Sequence, residues 1–257
     1  MIKQFYNNLP VYKFKLFENH PEIIHFITTR KNNDGKDFSF ASEDKNPEYE
    51  NNIKLLSSIF NIDANNFVVL KQVHGSEILH IRNEIDKTNI FNKDAMITQL
   101  ENICLCIKGA DCVPLLLYAP ETGTIAAAHA GWRGTFSEIV KKVIKSMLID
   151  YNINIKNLIA GIGPSISVKN YEVDKTLANR FAEKFDDSVI QTRNGKYYLD
   201  LWQCNHNQIT AMGVPAKNIE ISGLCTFENS RDFYSYRRDK NNSGRFLSCL
   251  CLSSKKV

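Results

Sequence analysis

No apolar run in the 257-residue chain approaches the ~20 residues that cross a bilayer. The first residues, MIKQFYNNLPVYKFKLF, lack the apolar core of a secretory signal, so a cytoplasmic protein is expected. Neither sign of charge dominates. With 32 Lys and Arg against 28 Asp and Glu, the net charge of +4 demands neither nucleic acid nor an anionic membrane as partner. Internal repeats, low-complexity tracts and linkers are absent, and one domain over residues 1–257 is expected. Histidine is sparse at six, and no H-x-H, H-x-x-x-H or C-x-x-C pair occurs. The seven cysteines, odd in number and without a secretory signal, point to reduced thiols rather than a disulfide framework.

What is present is an ordinary globular composition, 43% hydrophobic and 23% charged, with enough chain to bury a large core. Short apolar runs predict strands at Ile23–Thr29, Phe67–Val73, Ala95–Thr98, Ile103–Ile107, Val113–Tyr118, Ile125–Ala128, Leu158–Ile162, Ile219–Leu224 and Phe246–Leu252. Ser76–Ile81 is expected to return from Gly75 as the hairpin partner of Phe67–Val73. Helical spacing predicts helices at Glu50–Phe60, Phe136–Leu148, Lys175–Phe185 and Leu201–Met212, with Gly213 closing the last. Residues 30–49 are expected to be a polar, flexible loop. Few strands alternate cleanly with helices, so the expected class is α+β, mixed β-sheets packed with helices.

The stretch from Lys108 to Gly134 carries Cys112 and His129 beside two apolar runs joined by the turn Pro120-Glu121-Thr122-Gly123. A polar pair placed there costs free energy unless something binds it. One reading is a metal, with His74 of KQVHG as third ligand: catalytic zinc takes three His, Cys or carboxylate ligands and keeps a fourth position open. The other is a thiolate–imidazole dyad for acyl or amide chemistry. A lone buried cysteine is commonly an inert small hydrophobe, and residue chemistry by itself leaves both readings open. Asp111 projects away from His129 if it sits in a strand. Gly161-Ile162-Gly163-Pro164 lacks the third glycine of a dinucleotide fingerprint and reads as a tight turn. Cys249 and Cys251, alternating with Leu250 and Leu252, read as structural.

KQVHG, GADCVPLLL, AHAGWRG, GIGPSISVKNYEV and CTFENSRDFYSYRRDKNNSGR, in that order, resemble the bacterial laccase-domain family, whose members are labelled multicopper polyphenol oxidoreductase, purine nucleoside phosphorylase or peptidoglycan editing factor. The resemblance runs from about Thr28 to Phe246. It implies a layered α/β/β/α sandwich and a zinc site at His74, Cys112 and His129. It also implies phosphorolysis of adenosine, inosine and 5′-methylthioadenosine, with adenosine deamination. A four-copper oxidase, by contrast, needs roughly ten histidines in H-x-H pairs, since imidazole suits copper; six histidines without such a pair cannot supply it. A single copper in vitro is the competing ion. Lys31 to Lys36 replaces a Gly-rich segment of the family, and Asn170 stands where a cysteine is common.

For phosphorolysis, arginine forks suit the phosphate, and Arg30, Arg133, Arg237 and Arg238 lie near motif segments. The bland alternative for Arg237-Arg238 is a charged surface turn. Trp132, Phe233, Tyr234 and Tyr236 have the chemistry to stack on a purine, though aromatics beside strands commonly belong to the core. Asp111 and Glu172 are the carboxylates proposed to move a proton during deamination. The expected partners are a purine nucleoside and phosphate, in a monomer or weak dimer. Cell-wall editing, a thiol hydrolase and a non-catalytic metal-binding protein are the rival classes.

Overall fold

The computed structural model describes residues 1–41 and 47–253. Its first sheet takes β1 (Ile2–Tyr6), β2 (Leu9–Lys13), β3 (Ile23–Thr28), β4 (Phe67–Val69), β7 (Cys104–Gly109) and β15 (Phe246–Leu252), in the order β1-β2-β3-β15-β7-β4. The second takes β5 (Ile78–Ile81), β6 (Ala95–Thr98), β8 (Val113–Ala119), β9 (Thr124–Ala130), β10 (Ile159–Ile162) and β14 (Ile219–Ile221), in the order β14-β10-β8-β9-β6-β5. Both mix parallel and antiparallel pairs. A third, three-stranded sheet joins β11 (Glu172–Val173), β12 (Ile190–Arg193) and β13 (Lys196–Leu199). The helices are α1 (Pro47–Phe60), α2 (Trp132–Phe136), α3 (Ile139–Tyr151), α4 (Lys175–Phe185), α5 (Leu201–Ala211) and α6 (Tyr236–Asp239).

The near-continuous apolar runs of β8, β9 and β15 arise because both faces of each strand are covered. Along β8, Leu115 and Leu117 pack toward α3 and α5, while Leu116 and Tyr118 pack toward the first sheet. β15 divides the same way: Phe246 and Leu250 face the second sheet, and Leu247, Cys249 and Cys251 face α1. Three apolar layers therefore separate helix, sheet, sheet and helices, the α/β/β/α order implied by the resemblance.

Four expectations change. Phe67–Val73 and Ser76–Ile81 are not a hairpin: β4 lies parallel to β7 in one sheet and β5 parallel to β6 in the other. The peptide groups of the turn between them bond to a side chain, Asp94, rather than to a ladder. The helix expected over Phe136–Leu148 is broken into α2 and α3 by Glu138, which adopts φ +57°. Residues 30–41 hold a bridge between Lys31 and Asp37 and bury Phe38 and Phe40 completely, so this stretch is packed rather than loose. The remainder of that expected loop, residues 42–46, lies outside the described residues. Helix α1 begins earlier than expected, at Pro47, whose ring suits a first helical turn. Gly213 closes α5 with φ +97°, as expected. No helix among the described residues is long and apolar enough to cross a membrane.

Candidate metal centre and its cleft

Hairpin β8–β9 sets the first two donors. His129 lies opposite Pro114, and Val113 opposite Ala130, so Cys112, one residue before β8, is carried to the same end of the sheet. His74 arrives on the β4–β5 turn in a left-handed conformation, φ +62°. One ligating atom from each of His74, Cys112 and His129 lies within 4.8 Å of the other two. Cys112 is partly buried and His129 almost fully, whereas His74 is open to solvent. Close approach depends on Gly131: a Cβ there would sit 2.9 Å from the Cys112 sulfur and 3.1 Å from a His74 ring carbon.

Asp94, fully buried just before β6, holds the arrangement. One carboxylate oxygen meets His129 Nδ1 at 2.8 Å and accepts the His74 N–H at 2.9 Å. The other accepts the N–H groups of Val73 and Gly75 at 3.2 and 2.7 Å. Its own carbonyl accepts the His129 N–H at 2.7 Å. With Nδ1 engaged, Nε2 is the His129 nitrogen left for an ion, the carboxylate–histidine pattern that orients metal ligands. Burial pushes the Asp94 carboxyl up, but His129 and the turn N–H groups together hold it below its usual range. Sequence reasoning passed over Asp94. Its only signal was an acid directly before the apolar run AMIT.

Electrostatics bind the trio further. Burial pushes the Cys112 thiol up, yet the neighbouring His129 and His74 outweigh it and bring it to about 6. Burial likewise lowers His129, while Cys112 and Asp94 raise it to about 9. The thiolate is therefore the favoured form beside the two imidazoles, as metal ligation requires. Three donors of that chemistry, one open to solvent, fit a single zinc ion with a vacant corner.

The trio opens on a cleft of about 950 Å³. Lys108, Arg133, Arg237, Lys240 and Arg245 supply five cationic side chains to its lining against one carboxylate, Asp111. Arg133 lies 4.9 Å from the Trp132 ring. Arg237 donates to the Glu172 carbonyl, and Arg245 to the carbonyls of Ser243 and Gly244. None of these three arginines has a carboxylate partner among the described residues, so their charge is available to an anion. Trp132, Tyr171 and Tyr236 add aromatic walls.

Asp111 is not in a strand: it sits before β8 with φ +96°. Its oxygens accept from the Thr226 hydroxyl and the Arg237 N–H, both at 2.6 Å, which ties α6 to the cleft floor. Glu172 turns its carboxylate to Lys196 at 2.9 Å. Arg30 and Arg238 are not among the lining residues. Arg30 donates to the Ser230 carbonyl and lies against the Tyr234 ring. Arg238 pairs with Asp239 and donates to the carbonyls of Thr226, Phe227 and Phe233. Phe233 and Tyr234 are buried in the core. Gln72, Lys108, Tyr171, Lys240 and Arg245 line the cleft without having been singled out from sequence, because their segments meet only in three dimensions.

The chain is similar to known proteins over most of its length. A protein of Bacteroides thetaiotaomicron named purine nucleoside phosphorylase is 33% identical over 252 residues, covering 91% of this chain and 93% of the relative. One of the same name from Deinococcus radiodurans is 34% identical over 218 residues, 85% of this chain and 82% of the relative. The crystal structure of YlmD from Geobacillus stearothermophilus superposes with a TM-score of 0.87 at 25% identity, covering 98% of each chain. The family described as multi-copper polyphenol oxidoreductase laccase matches residues 25–253. With nearly the whole chain accounted for in this way, the protein belongs to that laccase family.

Proposed function

We propose that this protein is a zinc-dependent purine nucleoside phosphorylase, converting adenosine, inosine and 5′-methylthioadenosine to free base and sugar 1-phosphate, with adenosine deamination as a second activity. The observation that carries the proposal is the meeting of His74, Cys112 and His129 in the lining of a cleft that also presents aromatic side chains and arginines without a carboxylate partner among the described residues. The relatives named purine nucleoside phosphorylase support the same assignment.

Zinc would be held by His74, Cys112 and His129 and would supply Lewis acidity there. The remaining work falls to the chain. Arg133, Arg237 and Arg245 bind phosphate, because guanidinium forks match its oxygens. Trp132 and Tyr236 stack on the purine, leaving the ribose between base and phosphate. Asp94 fixes the His129 ring through Nδ1. Asp111 holds Arg237 in place by accepting its N–H, a positioning task that occupies the carboxylate considered for proton transfer. Arg30 and Arg238 brace the surrounding loops rather than the substrate.

The decisive assay incubates pure protein with inosine or adenosine, with and without phosphate. Ribose 1-phosphate formed only with phosphate supports phosphorolysis, and inosine formed from adenosine without phosphate supports deamination. A flat trace in every condition overturns the assignment. A Cys112–His129 hydrolase is the second reading, favoured by the lowered Cys112 thiol and raised His129. Such an enzyme would keep full activity after chelation and lose it on alkylation of Cys112.

A further inference from the structure

Four of the seven cysteines lie outside the cleft lining, on the face of the first sheet that packs against α1. Cys104 and Cys106 are two apart on β7, and Cys249 and Cys251 two apart on β15, so each pair shares a face. Register places Cys249 opposite Cys106 and Cys251 opposite Cys104. The sulfurs of Cys106 and Cys249 are 3.4 Å apart and those of Cys104 and Cys106 3.7 Å apart. All three side chains are fully buried.

We propose that Cys104, Cys106 and Cys249 form a second metal site, independent of the cleft and selective for a soft monovalent ion, copper(I). Convergence is the first reason: one ligating atom from each lies within 4.8 Å of the other two. Coordination number is the second. Structural zinc closes with four ligands, but Cys251 directs its thiol to the Leu252 carbonyl at 3.3 Å, and burial leaves no opening for water. Three sulfur donors without oxygen or nitrogen select a soft ion.

Charge is the third reason. The layer is lined by Phe26, Leu56, Phe60 and other apolar side chains, where uncompensated charge is costly. Entry of one copper(I) at a thiol forms one Cu–S bond and releases one proton. The oxidation state stays +1, the other two thiols coordinate as neutral donors, and no net charge is added.

The test uses the full-length, zinc-loaded protein, reduced and anaerobic, with copper(I) held by a coloured chelator. Copper is offered both to the folded protein and during refolding, so that burial does not hide the site. The expected result is transfer of one copper per chain in at least one arm, with an all-sulfur shell in the X-ray absorption spectrum. Transfer should persist in Cys112→Ala and disappear in Cys106→Ala and Cys249→Ala. No transfer in either arm, nitrogen in the copper shell, or transfer lost in Cys112→Ala alone overturns the proposal. If the Cys106 and Cys249 variants fail to fold, the wild-type stoichiometry and spectrum decide. The nucleoside assay is unaffected by this outcome, so the two proposals fail separately.

Discussion

The two sulfur-bearing regions place the same side chain in opposite circumstances. Cys112 lies beside two imidazoles in the lining of a cationic cleft, and its thiol is brought to about 6 despite burial. Cys104, Cys106 and Cys249 lie among phenylalanine and leucine, and burial pushes all three thiols far up. Burial acts in the same direction in both places. What differs is the company: His129, held by Asp94, stabilises a thiolate, whereas neighbouring thiols cannot. Readiness to react or to bind an ion at neutral pH is thus a property of the surroundings more than of cysteine itself.

Removing the thiolate breaks the contrast most completely. Cys112→Ala is expected to lose metal and to bring phosphorolysis below detection, measured by metal content and ribose 1-phosphate release. A variant with full metal and full rate would show that the sulfur is incidental. Asp94→Asn comes next. Its amide cannot match a carboxylate that meets one imidazole and three backbone N–H groups, and losing a partner that orients a metal-binding histidine costs about 10–100-fold in affinity or activity. Competition against a zinc chelator reads it directly, and an unchanged affinity would remove Asp94 from its positioning role.

Histidine sharpens the same comparison. His25 is as buried as His129, at 1% against 3% exposure, but its carboxylate neighbour, Glu18, stands 4.0 Å away where Asp94 meets His129 at 2.8 Å. Burial, aided by Lys13, lowers it to about 3. Between its unfolded value of 6.5 and about 3, the unfolded chain binds the extra proton. Its stabilising contribution is therefore complete above pH 6.5 and is lost as pH falls, by up to about 1.4 kcal/mol per pH unit. Urea midpoints measured from pH 7 down should fall less steeply in His25→Gln; parallel curves would contradict this. The smallest effect is expected at Cys106→Ala, with phosphorolysis unchanged and stability lowered by about 1 kcal/mol. A large loss of rate there would mean that the two sulfur regions are coupled.

Much of the fold was legible because strand runs and helical spacing are local signals. The helix over Lys175–Phe185 and the strand at Ala95–Thr98 match residue for residue. Two hairpins were passed over although their turns are plain in the sequence. Asn7-Asn8 and Asn194-Gly195 both adopt positive φ at the two central residues, the geometry that favours Asn and Gly in tight hairpin loops. The false hairpin after Phe67 has the opposite cause. A turn containing Gly75 looks local, but the carboxylate that shapes it comes from Asp94.

The candidate site divides along the same line. Chain order alone supplied the donor types, two imidazoles and a thiol beside small glycines, and ruled out a four-copper cluster by counting histidines. It also marked β8 and β9 as strands covered on both faces. Only tertiary structure decided that His74 joins the pair, that Asp94 rather than Asp111 orients His129, and that Arg133, Arg237 and Arg245 surround the cleft while Arg30 and Arg238 brace loops. The reason is physical. Residue type and periodicity are encoded within a few neighbours, whereas a ligand set and its charge balance depend on distances between segments that only sheet pairing and core packing bring together.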